Sequence, residues 1–531
     1  MPQSLILYDT TLRDGNQSEG ISYSAEDKIR IAQRLDEFGM DYIEGGWPGS
    51  NPKDMEFFTR AAKMAWKKSK IAAFGSTRRK DVKVQDDANI RLLLDANTPT
   101  VTIFGKSWDL HVKEGLRTTL ENNVELIYDS VAYLKEQGKE VIYDAEHFFD
   151  GFLANPDYAL KTLAAAARGG ADCLVLCDTN GGVMPQKVSE IINAVYAAGL
   201  DRPLGIHTHN DSDLAVANTI AAIQKDVLHV QGTINGYGER CGNANLCSII
   251  PNAALKMQDI ELSEKVNLKE LTTLSRYVSE IANLPHREES AFVGNSAFAH
   301  KGGIHVSAVR RNALTYEHID PARIGNHQRV LISDQSGQSN ILQKAEELGH
   351  DLSSNSAEVK EIVSKLKELE HLGYQFEDAD GSFAVLIQKT TGSFRKFFEL
   401  KSARVVVFKY EEGDLHSEAV LQLMVDDQIQ HTVAEGHGPV DALDRALRKA
   451  LEPFYPSLKD IRLVDYKVRV LDSRDGTEAL VRVSIESADG TMKWGTVGVS
   501  ENIIEASWQA LVDRITYKLL HDENFFNGKE K

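Results

Sequence analysis

Leu5-Ile6-Leu7-Tyr8-Asp9-Thr10-Thr11-Leu12-Arg13-Asp14-Gly15 joins an apolar run directly to a turn carrying carboxylates and a guanidinium. The run reads as a buried strand. Charges delivered at the end of a buried strand are costly unless they bind something. Much further along, Leu204-Gly205-Ile206 ends in His207-Thr208-His209-Asn210-Asp211. Two histidines separated by one residue point to the same side of a strand, the geometry of a divalent-metal ligand pair. Asp14, His207 and His209 together offer one carboxylate and two imidazoles, with positions left for substrate. Each motif has a bland reading as well, as a turn cap or as core and surface histidines.

Working outward, strand and helix patterns alternate over the first 280 residues. Candidate strands lie at 5–10, 41–45, 71–74, 101–104, 141–143, 173–177, 204–207 and 230–234. The first intervening segment shows the helix logic. Ser24 and Asp27 form a capping box, Ile31, Leu35 and Phe38 keep helical spacing, and Gly39 ends it. Eight such units predict a (β/α)8 TIM barrel, with a doubly wound sheet as the alternative. Nearly every strand end is polar: Glu44-Gly45-Gly46-Trp47, Tyr143-Asp144-Ala145-Glu146-His147, Asp178-Thr179-Asn180-Gly181 and Asn235-Gly236-Tyr237-Gly238-Glu239-Arg240-Cys241-Gly242-Asn243. Barrel active sites sit at those C-terminal ends. The last loop has the wrong glycine spacing for a dinucleotide fingerprint or a P-loop.

Composition narrows the function classes. The 531 residues are 42% hydrophobic and 26% charged, as in a globular protein of several domains. The formal net charge of −18 argues against nucleic acid as a partner. No apolar run approaches the ~20 residues needed to cross a bilayer. The N-terminus does not read as a secretory signal, so a cytoplasmic location without membrane attachment is expected. Four cysteines make no disulfide framework, and Cys173 and Cys177, four apart on one strand, read as buried thiols.

The motifs 9–17, 178–181, 207–211 and 236–243, taken in order, resemble the metal-dependent barrel-type Claisen condensing enzymes. Isopropylmalate, homocitrate and citramalate synthases make up that family, and the resemblance spans the chain. It implies a divalent metal (Mg, Mn, Co or Zn) held by Asp14, His207 and His209, with Asn243 as a further ligand. It implies that Arg13 reaches the keto oxygen of a bound 2-keto acid, that Thr179 binds its carboxylate and that Glu146 takes part in catalysis. The implied substrates are acetyl-CoA and pyruvate, with larger 2-keto acids as alternatives. Tyr143, Phe104 and residues 92–94 are candidate pocket walls, Tyr143 as a substrate-binding residue. His147 stands where many relatives have an acid, which puts the local hydrogen bonds in question.

Beyond the barrel, residues 281–400 read as linker subdomains contributing to the active site, with a helix at 353–374 and a turn at 378–381. The resemblance implies that His305 and Tyr316 complete the site of the other subunit of a homodimer, in proton transfer or in hydrolysis. Lys301, Arg310 and Arg311 could face coenzyme A phosphates or simply solvent. Residues 401–531 change to an α+β plan. Strands at 405–410, 419–425 and 430–434 precede a helix at 439–451. Strands at 468–471, 479–485 and 494–499 precede a helix at 502–520. This duplicated βββα unit is expected to be a C-terminal allosteric and dimerisation domain. The resemblance implies isoleucine as effector. A metal-dependent aldolase or lyase, and a non-catalytic amino-acid sensor, are the alternatives from other classes.

Overall fold

In a computed structural model describing residues 2–350, 352, 357–409, 414–471 and 479–528, all eight expected strands are present. They are β1 (Gln3–Asp9), β2 (Tyr42–Gly46), β3 (Lys70–Ser76), β4 (Thr100–Lys106), β5 (Glu140–Glu146), β6 (Cys173–Asp178), β7 (Leu204–Thr208) and β8 (His229–Gly232). Each pairs in parallel with the next, and β1 pairs with both β8 and β2, so the sheet closes into a barrel. The doubly wound alternative is thereby excluded. A short β9 (Ile260–Leu262) runs beside the start of β1.

The pleat sorts the side chains. In β5, Val141, Tyr143 and Ala145 join the core between strands and helices. Ile142 instead joins Tyr8, Ala72, Cys173, Val175 and Cys177 in a separate cluster that fills the barrel. Both cysteines are buried and free, and burial pushes their thiols up, as expected of inert interior groups. The first helix, Ala25–Phe38, carries both halves of its capping box: the Asp27 N–H donates to Ser24 Oγ at 3.1 Å and the Ser24 N–H to Asp27 Oδ2 at 2.9 Å. Gly39 ends it at φ 109°. A Cβ there would lie 2.3 Å from the Lys265 carbonyl, so only glycine fits.

Two compact units divide the chain, the first comprising Met1–Phe298 with Ile319–His327 and the second Ala299–His318 with Gln328–Lys531. In the second, β10 (Ala299–His300) pairs with β11 (Arg329–Val330), and helices span Gly303–Arg311, Gln338–Glu347, Ala357–His371 and Asp380–Thr391. The first four residues of the helix expected at 353–374 lie outside the described residues. The turn expected at 378–381 is corrected: Asp380 and Gly381 open a helix that buries Phe383, Ala384, Val385 and Ile387. Turn-rich Asp-Ala-Asp-Gly hides that start, and Gly381 serves a close approach, since a Cβ on it would lie 2.9 Å from the Gly495 carbonyl.

The duplicated plan follows. Antiparallel β12 (Glu399–Lys409), β13 (Leu415–Val425) and β14 (Gln428–Gly436) lead into helix Pro439–Leu451. Then β15 (Arg462–Val470), β16 (Val481–Ala488) and β17 (Lys493–Ser500) lead into helix Ile503–Gly528. Tyr410, expected at the end of the first of these strands, lies outside the described residues. In β13, Ala419, Leu421, Leu423 and Val425 alternate into one core with Leu443, Leu447, Val483, Ile485 and Ile515. Among the described residues, no helix is long and apolar enough to cross a membrane.

Candidate active site and metal centre

The turn after β1 is built by its own side chains. The Thr11 N–H and hydroxyl donate to Asp9 at 2.9 and 2.8 Å, and the Asp14 N–H to the Thr10 carbonyl at 2.9 Å. Burial pushes the Asp9 carboxyl up to about 7 against those hydrogen bonds. Thr11 Oγ1 also accepts from the Ile234 N–H at 2.9 Å, tying this turn to the loop after β8. Asp14 is thereby fixed at the barrel mouth.

There it meets the histidine pair. Asp14 Oδ2 lies 3.5 Å from His207 Nε2 and 3.8 Å from His209 Nε2, and the two Nε2 atoms are 3.3 Å apart. All three residues are buried, and their ligand atoms lie within 4.8 Å of one another. Burial alone would raise the Asp14 carboxyl, but Arg13 and the imidazoles hold it well below the usual carboxylate range. Burial pushes His209 down to about 4 despite Asp14. Among the described residues, Asp14 Oδ1, His209 Nδ1 and Asn243 Oδ1 are buried without hydrogen-bond partners. An ionised carboxylate, two converging imidazoles and unsatisfied donor atoms fit a divalent cation. His207 Nδ1 is 2.9 Å from Gln231 Oε1, and Gln231 Nε2 donates to Asp144 Oδ1 at 3.0 Å. That chain fixes the His207 ring with Nε2 facing the cluster.

Arg13 borders the same centre. Its Nε donates to Glu44 Oε2 at 2.6 Å and its Nη1 to Asp14 Oδ2 at 2.8 Å, while the guanidinium carbon lies 3.7 Å over the Phe74 ring. Glu44, fully buried in the middle of β2, also accepts from Tyr8 at 2.7 Å and from Thr10. Burial opposes the Arg13 charge, but Glu44 and Asp14 more than restore it.

Arg13, Asp14, His207, His209, Glu146, Thr179 and Phe104 line one cavity of about 210 Å3, joined by Trp47, Phe74 and Asp144. Glu146 is ion-paired with Lys106. Thr179 Oγ1 accepts from the His147 N–H at 2.9 Å. That bond uses the backbone of 147, so the identity of the side chain there leaves it intact. The His147 ring turns to Asp150, 3.2 Å from Nδ1.

Other expected residues fall elsewhere. Asn243 lines the adjoining cavity of about 500 Å3, paired through its backbone with His209. Tyr143 does not reach the cavity: the pleat of β5 turns it into the strand–helix core with Leu93, while Asp144 takes the inward position. His305 and Tyr316 are brought together in the second unit, their rings stacked with centroids 4.1 Å apart and both exposed. Lys301 is ion-paired with Glu377 at 3.0 Å and Arg310 lies 3.8 Å from Glu346. Sequence reading passed over Gln231, Asp144, Lys106 and Phe74 as site residues. A glutamine and an aspartate inside otherwise apolar strands were the available signal.

Three family models match the chain: HMGL-like over residues 4–278, homocitrate synthase post-HMGL domain-like over 292–373, and the LeuA allosteric (dimerisation) domain over 377–519. A curated (R)-citramalate synthase of Geobacter sulfurreducens is 56% identical over 99% of this chain and 99% of its own. One of Aquifex aeolicus is 54% identical over 98% and 99%. A 2-isopropylmalate synthase of Methanocaldococcus jannaschii is 30% identical over 97% and 95%. The carboxylate–imidazole cluster thus stands on a barrel shared, along with all that follows it, with full-length relatives, and the chain belongs to the HMGL-like family, in the branch that holds the (R)-citramalate synthases.

Proposed function

We propose that this protein is an (R)-citramalate synthase, condensing acetyl-CoA with pyruvate and hydrolysing the thioester to release coenzyme A. The observation that carries the reading is the buried Asp14–His207–His209 cluster beside Arg13, in a chain aligned end to end with curated (R)-citramalate synthases. A divalent cation at the cluster would supply Lewis-acid polarisation of the keto carbonyl. Arg13, kept protonated and aimed by Glu44, stabilises the alkoxide that develops at the keto oxygen. Thr179, its oxygen already accepting from the His147 N–H, keeps its own proton for the keto acid carboxylate. Glu146 stands in the cavity for proton transfer, paired with Lys106. His305 and Tyr316 supply the remaining proton-handling groups from a second subunit.

Homodimerisation is supported by the match to the LeuA allosteric (dimerisation) domain. Exposed valines on strands β12 and β15, among them Val407, Val468 and Val470, suit a surface covered by a partner. We take isoleucine as the effector and the cytoplasm as the location, at the entry to isoleucine synthesis. A small cavity with aromatic walls favours pyruvate over branched 2-keto acids.

The test is coenzyme A release from acetyl-CoA with Mg or Mn, comparing pyruvate, 2-ketoisovalerate and 2-ketoglutarate. Release with pyruvate far exceeding the others is expected. Preference for another acid would move the assignment within the family. Cleavage of citramalate without coenzyme A would instead favour a lyase.

A further inference from the structure

The third substituent on C2 of a bound 2-keto acid needs carbon-lined space, and the cavity offers it mainly on one wall. Phe74 and Phe104 stack with centroids 5.4 Å apart, and Trp47 stands edge-on to both, at 6.0 and 5.6 Å. Because the Arg13 guanidinium lies over the Phe74 ring, this wall borders the group that holds the keto oxygen.

Phe74 and Phe104 sit within β3 and β4 and are fixed by the barrel. Trp47 sits on the loop after β2 and is pinned at both ends. Its backbone N–H donates to Asp54 Oδ2 at 2.8 Å. Asp54 pairs in turn with buried Lys28, which also donates to the Gly45 carbonyl at 3.0 Å. Its indole N–H donates to Asn89 Oδ1 at 2.7 Å, and Asn89 Nδ2 donates to the Ser76 carbonyl at 2.7 Å. Gly46, at φ 146°, leaves no slack: a Cβ there would lie 2.5 Å from the Asp54 carboxyl.

We propose that Trp47, pinned by Asn89, sets the upper size limit of the 2-keto acid, admitting pyruvate and rejecting acids with one or more extra methylenes. The proposal rests on the condensing-enzyme reading and names the residue that gives it specificity. Pinning is essential, because a ring free to swing would yield to a larger substrate. A single methylene against a wall that cannot move is worth about 10- to 200-fold in discrimination.

The test compares wild type, Trp47→Ala, Trp47→Phe and Asn89→Ala with pyruvate and 2-ketobutyrate. Both kcat/KM and calorimetric Kd on Mn-loaded protein are measured. The 2-ketobutyrate-to-pyruvate ratio should rise at least ~10-fold in Trp47→Ala and less in Trp47→Phe. In Asn89→Ala it should rise several-fold (~3-fold or more) with every atom of the wall retained. Mn affinity should stay unchanged in all three. If Trp47→Ala does not fold, the other two variants carry the test. Ratios equal to wild type in folded variants overturn the proposal. A wild type that releases coenzyme A with no 2-keto acid overturns the condensing reading instead, and the Kd ratios then decide the wall's role on their own.

Discussion

The barrel mouth and the His305–Tyr316 platform both carry groups suited to proton and charge chemistry, yet they are built in opposite ways. At the mouth the residues around the carboxylate–imidazole cluster are largely buried and held by one another: Glu44 holds Arg13, Gln231 holds His207, and Asp144 holds Gln231. On the platform the two rings stack on each other and face outward, beside Ile304 and Leu314, which are 81% and 78% exposed. A buried charged site must be complete within its own unit, because an unmet charge in low dielectric destabilises the fold. An exposed ring pair beside bare apolar side chains carries no such penalty and can wait for a second surface to complete it.

Removing a ligand at the mouth should produce the largest effect. Asp14→Asn or His207→Ala should lower Mn affinity at least ~100-fold and abolish coenzyme A release, read by calorimetry and by thiol assay. Full turnover in either variant would break the contrast at its strongest point.

On the platform, His305→Ala and Tyr316→Phe should each lower kcat about 10- to 1,000-fold while Mn affinity and the melting temperature stay at wild-type values. Loss of metal binding in these variants would mean that the two regions are one site in the fold and not two. Gln231→Leu sharpens the comparison from the buried side. It removes the acceptor that orients His207 and should weaken Mn binding roughly 10- to 100-fold, without touching substrate.

The last effect concerns stability. His229, buried in the barrel against Tyr8 and Tyr42, is pushed down by burial to about 4. Its ordinary value is near 6.5, so the unfolded chain binds the proton first. The stability it lends is complete above about pH 6.5 and is lost as pH falls towards about 4, by up to about 3 kcal/mol. His229→Phe should flatten the dependence of barrel melting on pH between 7 and 4.5. An unchanged slope would remove His229 from the account.

The same contrast explains what could be read from the sequence. The barrel was legible because most strands are short, largely apolar runs closed by a polar turn, and Asp14, His207 and His209 stand where those runs end. The βββα repeat was legible from alternation, as in β13, where every second residue is buried. Tyr143 was misplaced because it is polar and lies near a strand end, whereas the pleat, one residue out of phase, gives the inward position to Asp144. Trp47 and Phe74 look like ordinary core residues until the closed barrel sets them beside Arg13. The helix at Asp380 was hidden by turn-forming residues that serve a close backbone approach.

The most direct test of the central claim is calorimetric titration of Mn into metal-stripped wild type and His209→Ala, followed by pyruvate. One site per chain in wild type, lost in the variant, with pyruvate heat appearing only after metal, is the result the account predicts. Equal Mn binding in both proteins, or pyruvate binding that is indifferent to metal, would contradict it.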